Sequence, residues 1–93
     1  MVKYSVELFG MSNVFPDLRS VEIELQGEAS LRDVVIALRQ EMPVLEGSVI
    51  RPGEDRLTSH CSFNVNGRFY LDDYDVKVRS SDHILLVTLA LGG

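Results

Sequence analysis

One stretch of this sequence, residues 31–42, repeats its apolar positions at helical spacing, and residue chemistry fixes both of its ends. Leu31, Val34, Val35, Leu38 and Met42 fall on one face, and Arg32, Asp33, Arg39, Gln40 and Glu41 occupy the other. The Ser30 hydroxyl is placed to accept from the orphan amides of the first turn. Asp33, three residues on, completes a capping box and suits the positive end of the helix dipole. Pro43 has no amide hydrogen with which to continue the helix, and it disfavours helical geometry at Met42. A chain with one main helix must build the rest of its core from strands.

On either side of the helix the period is two. Val2, Tyr4, Val6 and Leu8 alternate with Lys3, Ser5 and Glu7, and Val21, Ile23 and Leu25 alternate with Glu22, Glu24 and Gln26. These read as two antiparallel strands joined by a loop rich in turn formers. Asn66-Gly67 between apolar segments predicts a type I′ hairpin, because both residues tolerate positive φ. Asp72, Asp73, Tyr74 and Asp75 make a polar connection, followed by Val76 and Val78 and a turn at Ser80-Ser81-Asp82. Residues 83–91 are apolar on both faces, which places this last strand in the middle of a sheet. Residues 43–60 are the least regular, a long loop with room for a turn of helix near 45–50. The expectation is an α+β domain, a mixed sheet with one main helix packed across one face.

Ninety-three residues suffice for one modest core, so the whole chain, 1–93, is expected to be a single domain with a Gly-Gly tail at 92–93. Cys61 is the only cysteine, so no internal disulfide can form, and the chain reads as cytoplasmic. The first residues lack the pattern of a signal peptide. The longest apolar run, interrupted by Thr88, is too short to span a bilayer as a helix. A formal charge of −5, with nine scattered basic residues, argues against nucleic acid as a partner. It suits a protein partner with a basic surface, and equally well solubility alone.

The chain carries little chemistry of its own. His60 and Cys61 are adjacent and would point to opposite faces of a strand, and no second cysteine completes a metal site. A Cys61–His83 nucleophile would need an orienting third group and a spatial contact, and nothing in the sequence beyond the presence of both residues points to them. Asp72, Asp73 and Asp75 lack the glycine and glutamate of a calcium loop. No resident metal or cofactor is expected, and the chain reads as non-catalytic. Phe9, Phe69, Tyr70, Leu86 and Val87, in contrast, are more large side chains than one small helix can cover. As a set they imply an apolar patch on the helix-free face, the mark of a protein interface.

Hairpin, helix, hairpin and final strand, followed by Gly92-Gly93, together resemble the MoaD/ThiS family of sulfur carriers, and most closely the small subunit of molybdopterin synthase. The helix from Ser30-Leu31-Arg32-Asp33 onward resembles that family's helix. Phe63-Asn64-Val65-Asn66-Gly67 looks like its V-N-G hairpin, and Ser81-Asp82-His83-Ile84 occupies the place of its Gly-Asp-Glu-Val. The resemblance implies a ubiquitin-like β-grasp fold and a sulfur carrier of molybdopterin biosynthesis. The carboxylate of Gly93, preceded by Gly92, would be adenylated by a partner enzyme at the expense of ATP and converted to a thiocarboxylate. It also implies partner contacts by Leu91, Leu89, Val87, Leu86 and Phe69 with the adenylating enzyme and with the large synthase subunit or another sulfur-accepting enzyme. The alternatives are a protein modifier conjugated through Gly93 and a non-covalent β-grasp interaction module.

Overall fold

The computed structural model describes residues 1–10 and 19–88. Its elements run β1 (Val2–Phe9), β2 (Ser20–Leu25), β3 (Glu28–Ser30), α1 (Leu31–Glu41), a 3₁₀ turn (Pro43–Leu45), β4 (Cys61–Val65), β5 (Arg68–Tyr70), β6 (Lys77–Arg79) and β7 (Ile84–Thr88). Among the described residues, five strands form a mixed sheet in the order β2-β1-β7-β4-β5, and β3 pairs with β6 in a small separate ladder. β7 is central, parallel to β1 and antiparallel to β4. β1 and β2 pair antiparallel, as their alternation implies.

The period-two pattern divides the sheet into a covered and an open face. Tyr4, Val6, Val21, Ile23, Leu25, Phe63, Ile84 and Leu86 are buried in one cluster with Leu31, Val34, Val35 and Leu38 of α1. The helix starts as its sequence dictates. The Ser30 hydroxyl accepts from the Asp33 amide at 3.2 Å, and the Ser30 amide donates to Asp33 Oδ2 at 3.0 Å. Two further amides of the first turn, which no helix can satisfy internally, donate to the chain entering β6: Leu31 to the Val76 carbonyl and Arg32 to that of Tyr74, both at 3.0 Å. At the other end, the Met42 amide closes on the Leu38 carbonyl at 2.8 Å before Pro43 begins its 3₁₀ turn.

Asn66 and Gly67 both have positive φ, +54° and +90°, as a type I′ turn requires. Asn66 also binds this hairpin to the start of β7. Its side-chain oxygen accepts from the His83 amide at 2.8 Å, and its own amide donates to the His83 carbonyl at 2.9 Å.

The segment between Leu45 and β4 has no regular element beyond isolated bridges of Ile50 with Glu46 and Leu57, yet it is ordered by contacts. Leu45, Val49, Ile50 and Leu57 enter the core. Arg39 reaches from α1 into this segment, pairing with Glu46 at 3.1 Å and Asp55 at 2.9 Å and donating to the carbonyls of Arg51 and Glu54. Tyr74 accepts from the Leu57 amide at 3.0 Å, and Arg56 stacks over its ring.

Candidate functional site

Directly paired residues of neighbouring strands share a face, so the sheet register assigns every side chain around β7. One open-face row runs Glu7, Leu85, Asn64, Phe69, and the next runs Phe9, Val87, Ser62. Phe9 is 65% exposed and Phe69 53%, whereas Leu85 and Val87 between them are half-buried. Leu71, just past β5, is also exposed. The result is an apolar strip across the middle of the helix-free face. Glu7 and His83 rim it, 3.2 Å apart. Ser62, in the same row as Val87, is buried, and its hydroxyl has no hydrogen-bond partner among the described residues.

This arrangement corrects one sequence expectation. Leu86 lies opposite Leu8 and Phe63 on the covered face and is completely buried, so it belongs to the core and offers no surface to a partner. Tyr70, opposite Phe63, shares that face. Phe69 and Val87 do lie on the open face. Leu89, Leu91, Gly92 and Gly93 lie outside the described residues.

Thr88, the last described residue of β7, is closely framed. Gly10 (φ +81°) stands so near Thr88 that a Cβ at position 10 would lie 2.8 Å from the threonine Cγ2. On the other side, Thr88 is paired with Cys61, and its hydroxyl reaches the His60 carbonyl at 3.5 Å. Cys61 is buried, with the Thr58 hydroxyl 3.6 Å from its sulfur. Cys61 and His83 sit at opposite ends of the β4–β7 ladder, since Cys61 pairs with Thr88 and Val65 with Ile84, so they form no nucleophilic pair. Asp75 is held by Arg32 at 2.6 Å, which accounts for one carboxylate of the aspartate-rich turn.

A central strand parallel to β1 and antiparallel to β4, one crossing helix and an opening β1–β2 hairpin make a specific topology among the described residues, and solved structures share it. SAMP1 from Haloferax volcanii superposes with a TM-score of 0.77 at 24% identity, covering 99% of this chain and all of that one. The fold is the ubiquitin-like β-grasp. Two further β-grasp structures match over nearly the full length. Small archaeal modifier protein 1 from Methanosarcina acetivorans gives a TM-score of 0.73 at 19% identity, covering 100% of this chain and 98% of that one. The Pyrococcus furiosus protein assigned as molybdopterin converting factor subunit 1 gives 0.69 at 24% identity, covering 97% and 100%. No protein-family model matches the sequence, and neither does any curated protein. In this β-grasp, β7 is both the central strand and the last one described, so residues 89–93 follow in sequence from the middle of the sheet. No helix among the described residues is long and apolar enough to cross a membrane.

Proposed function

We propose that this chain is a non-catalytic carrier whose working group is the carboxylate of Gly93, and that it acts in the cytoplasm. One observation supports this above the others: the last described residue of the central strand, Thr88, lies between Gly10 and His60, and the sequence that follows it reaches Gly92-Gly93. Glycine lacks a Cβ and is flexible, so such an end can extend into another protein's active site and approach a nucleotide closely. The reading requires Gly93 to carry the terminal carboxylate, as translated or after trimming.

A carboxylate is a poor acyl donor because attack adds charge to an anion that has no leaving group. A partner adenylating enzyme removes that obstacle. The Gly93 carboxylate attacks the α-phosphate of ATP and releases pyrophosphate, giving an acyl-adenylate. A sulfur nucleophile at the oxidation level of hydrosulfide then displaces AMP and leaves a thiocarboxylate, whose sulfur anion is a strong nucleophile toward a small-molecule acceptor. The apolar strip of Phe9, Val87 and Phe69 seats the chain on its partners, with Leu89 and Leu91 as further contacts. The name of the P. furiosus structure supports molybdopterin synthesis as the pathway; the partner there would be the large synthase subunit, which holds the small-molecule acceptor, or another sulfur-accepting enzyme.

The names of the two modifier structures favour a second reading, in which a lysine amine displaces AMP and the chain becomes attached to another protein. The third, a non-covalent interaction module, needs no free end. Removal of Gly93 separates the first two from the third. The truncated chain should melt as the full one does but no longer accept adenylate from its activating enzyme. Adenylation at an undiminished rate defeats the carrier reading.

A further inference from the structure

β5 is the outermost strand on one side of the sheet, and its outer edge is unpaired among the described residues. Asn66-Gly67 is a two-residue turn, so the flanking Val65 and Arg68 form a hydrogen-bonded pair, and such pairs recur at every second position. The Asn66 amide agrees, because it points the other way, to the His83 carbonyl. Arg68 and Tyr70 therefore direct their backbone groups at β4. Phe69, and Leu71 one residue past the strand, direct theirs outward. The side chains of these two residues are 53% and 62% exposed. Arg68 and Asp72 on either side are also exposed, and neither has an ion-pair partner among the described residues. Read outward from Tyr70, the edge is apolar one step away in both directions and oppositely charged two steps away.

We infer that this edge pairs antiparallel with the β5 edge of a second copy, about a two-fold axis at Tyr70. In that register Phe69 of each copy stands against Leu71 of the other, and these outward-directed residues exchange their backbone hydrogen bonds. Arg68 of each copy stands against Asp72 of the other. Those are non-hydrogen-bonded pairs, where side chains lie closest and opposite charges attract. An axis at Phe69 would instead set Arg68 against Tyr70 and leave both charges unpaired. The contact uses the same surface on both copies. The edges left outermost are both β2, whose Glu22 and Glu24 carry one sign and oppose further edge-to-edge growth. The assembly therefore closes at a dimer. Its interface is small, so the dimer is weak. The pairing does not depend on the carrier reading, although a docked partner would compete for Phe69.

Sedimentation of the full chain at low ionic strength, over a concentration series reaching the millimolar range, reads the association. The unaltered chain should pass from monomer to dimer. Arg68→Asp and Asp72→Arg, each alone, set like charges together at both ends and should weaken the dimer roughly tenfold or more. An equimolar mixture of the two variants restores opposite charges at both ends and should recover the dimer as a mixed species. Both positions are exposed, so each variant should melt as the unaltered chain does when dilute. Amide exchange at Phe69 and Leu71 should be slower in a concentrated sample than in a dilute one. A chain that stays monomeric throughout, a dimer indifferent to the two substitutions, or variants that remain apart when mixed would overturn the inference.

Discussion

Gly10, just past β1, meets Thr88 of β7, with no room for a side chain at position 10. Two separate penalties therefore apply to Gly10→Ala. An L-residue at φ +81° costs about 1–2 kcal/mol, and the new methyl would collide with the threonine Cγ2. Thr88→Ser removes that Cγ2 and keeps the hydroxyl. Urea melts should show Gly10→Ala destabilised by about 1–2 kcal/mol or more, and the double variant should recover the steric part only. Full recovery would mean that backbone strain contributes nothing.

Tyr4 ties three segments together. Its hydroxyl faces the carbonyl oxygens of Gln26 at 2.9 Å, Gly27 at 3.0 Å and Val78 at 3.3 Å, beneath the junction of β2, β3 and β6. Burial, and then the negative charges of Asp82 and Glu28, raise its pKa above the ordinary 10.0. The folded protein therefore holds the phenol proton more tightly than the unfolded chain does. The associated stability is complete below pH 10 and declines as pH rises through the folded value. Tyr4→Phe should lose about 1–2 kcal/mol at neutral pH by leaving those carbonyls short of a donor. It should also flatten the alkaline limb of a stability–pH curve followed by circular dichroism.

Asp82 supplies the acid limb. Its carboxylate accepts from the Arg79 amide at 2.8 Å and the Asn66 side-chain amide at 3.1 Å, and these bonds lower its pKa below 3.8. The stability it contributes is present above that ordinary value and is lost as pH falls through the lower folded one. Asp82→Asn should cost roughly 1 kcal/mol near neutrality and reduce the fall in melting temperature between pH 5 and pH 2. An unchanged acid slope would contradict this assignment.

Arg39 should govern the order of the segment between the 3₁₀ turn and β4. Replacing it with Met keeps its aliphatic bulk against α1 but removes the bonds to Glu46, Asp55 and the Arg51 and Glu54 carbonyls. Amide exchange at Arg51 and Glu54, which donate to Arg56 and Arg51 carbonyls respectively, should accelerate several-fold more than exchange at Val6 or Ile84. Uniform acceleration would mean that the segment does not open on its own.

What could be read from the sequence was what local chemistry specifies. The Ser30–Asp33 box, the Pro43 stop and the Asn66-Gly67 turn each act within a few residues, and all three are realised. The central place of β7 was legible because both of its faces are apolar. That same property hid which face Leu86 takes, since alternation assigns faces only when one of them is polar. The register against Leu8 and Phe63 decides it. β3 and β6 were hidden because three-residue strands carry almost no periodic signal. The order of the segment after Leu45 comes from Arg39 and Tyr74 side chains bonding to its backbone, which leaves no pattern along the chain.

The central claim concerns a single atom at the end of the chain. The most direct measurement is the intact mass of this protein isolated from its own cells under non-reducing conditions, with fragmentation of the C-terminal peptide. The carrier account predicts a chain ending at Gly93 in which one terminal oxygen is exchanged for sulfur in a measurable fraction of molecules. A mature chain that continues past Gly93, or a Gly93 found only as plain carboxylate while its pathway is active, would contradict it.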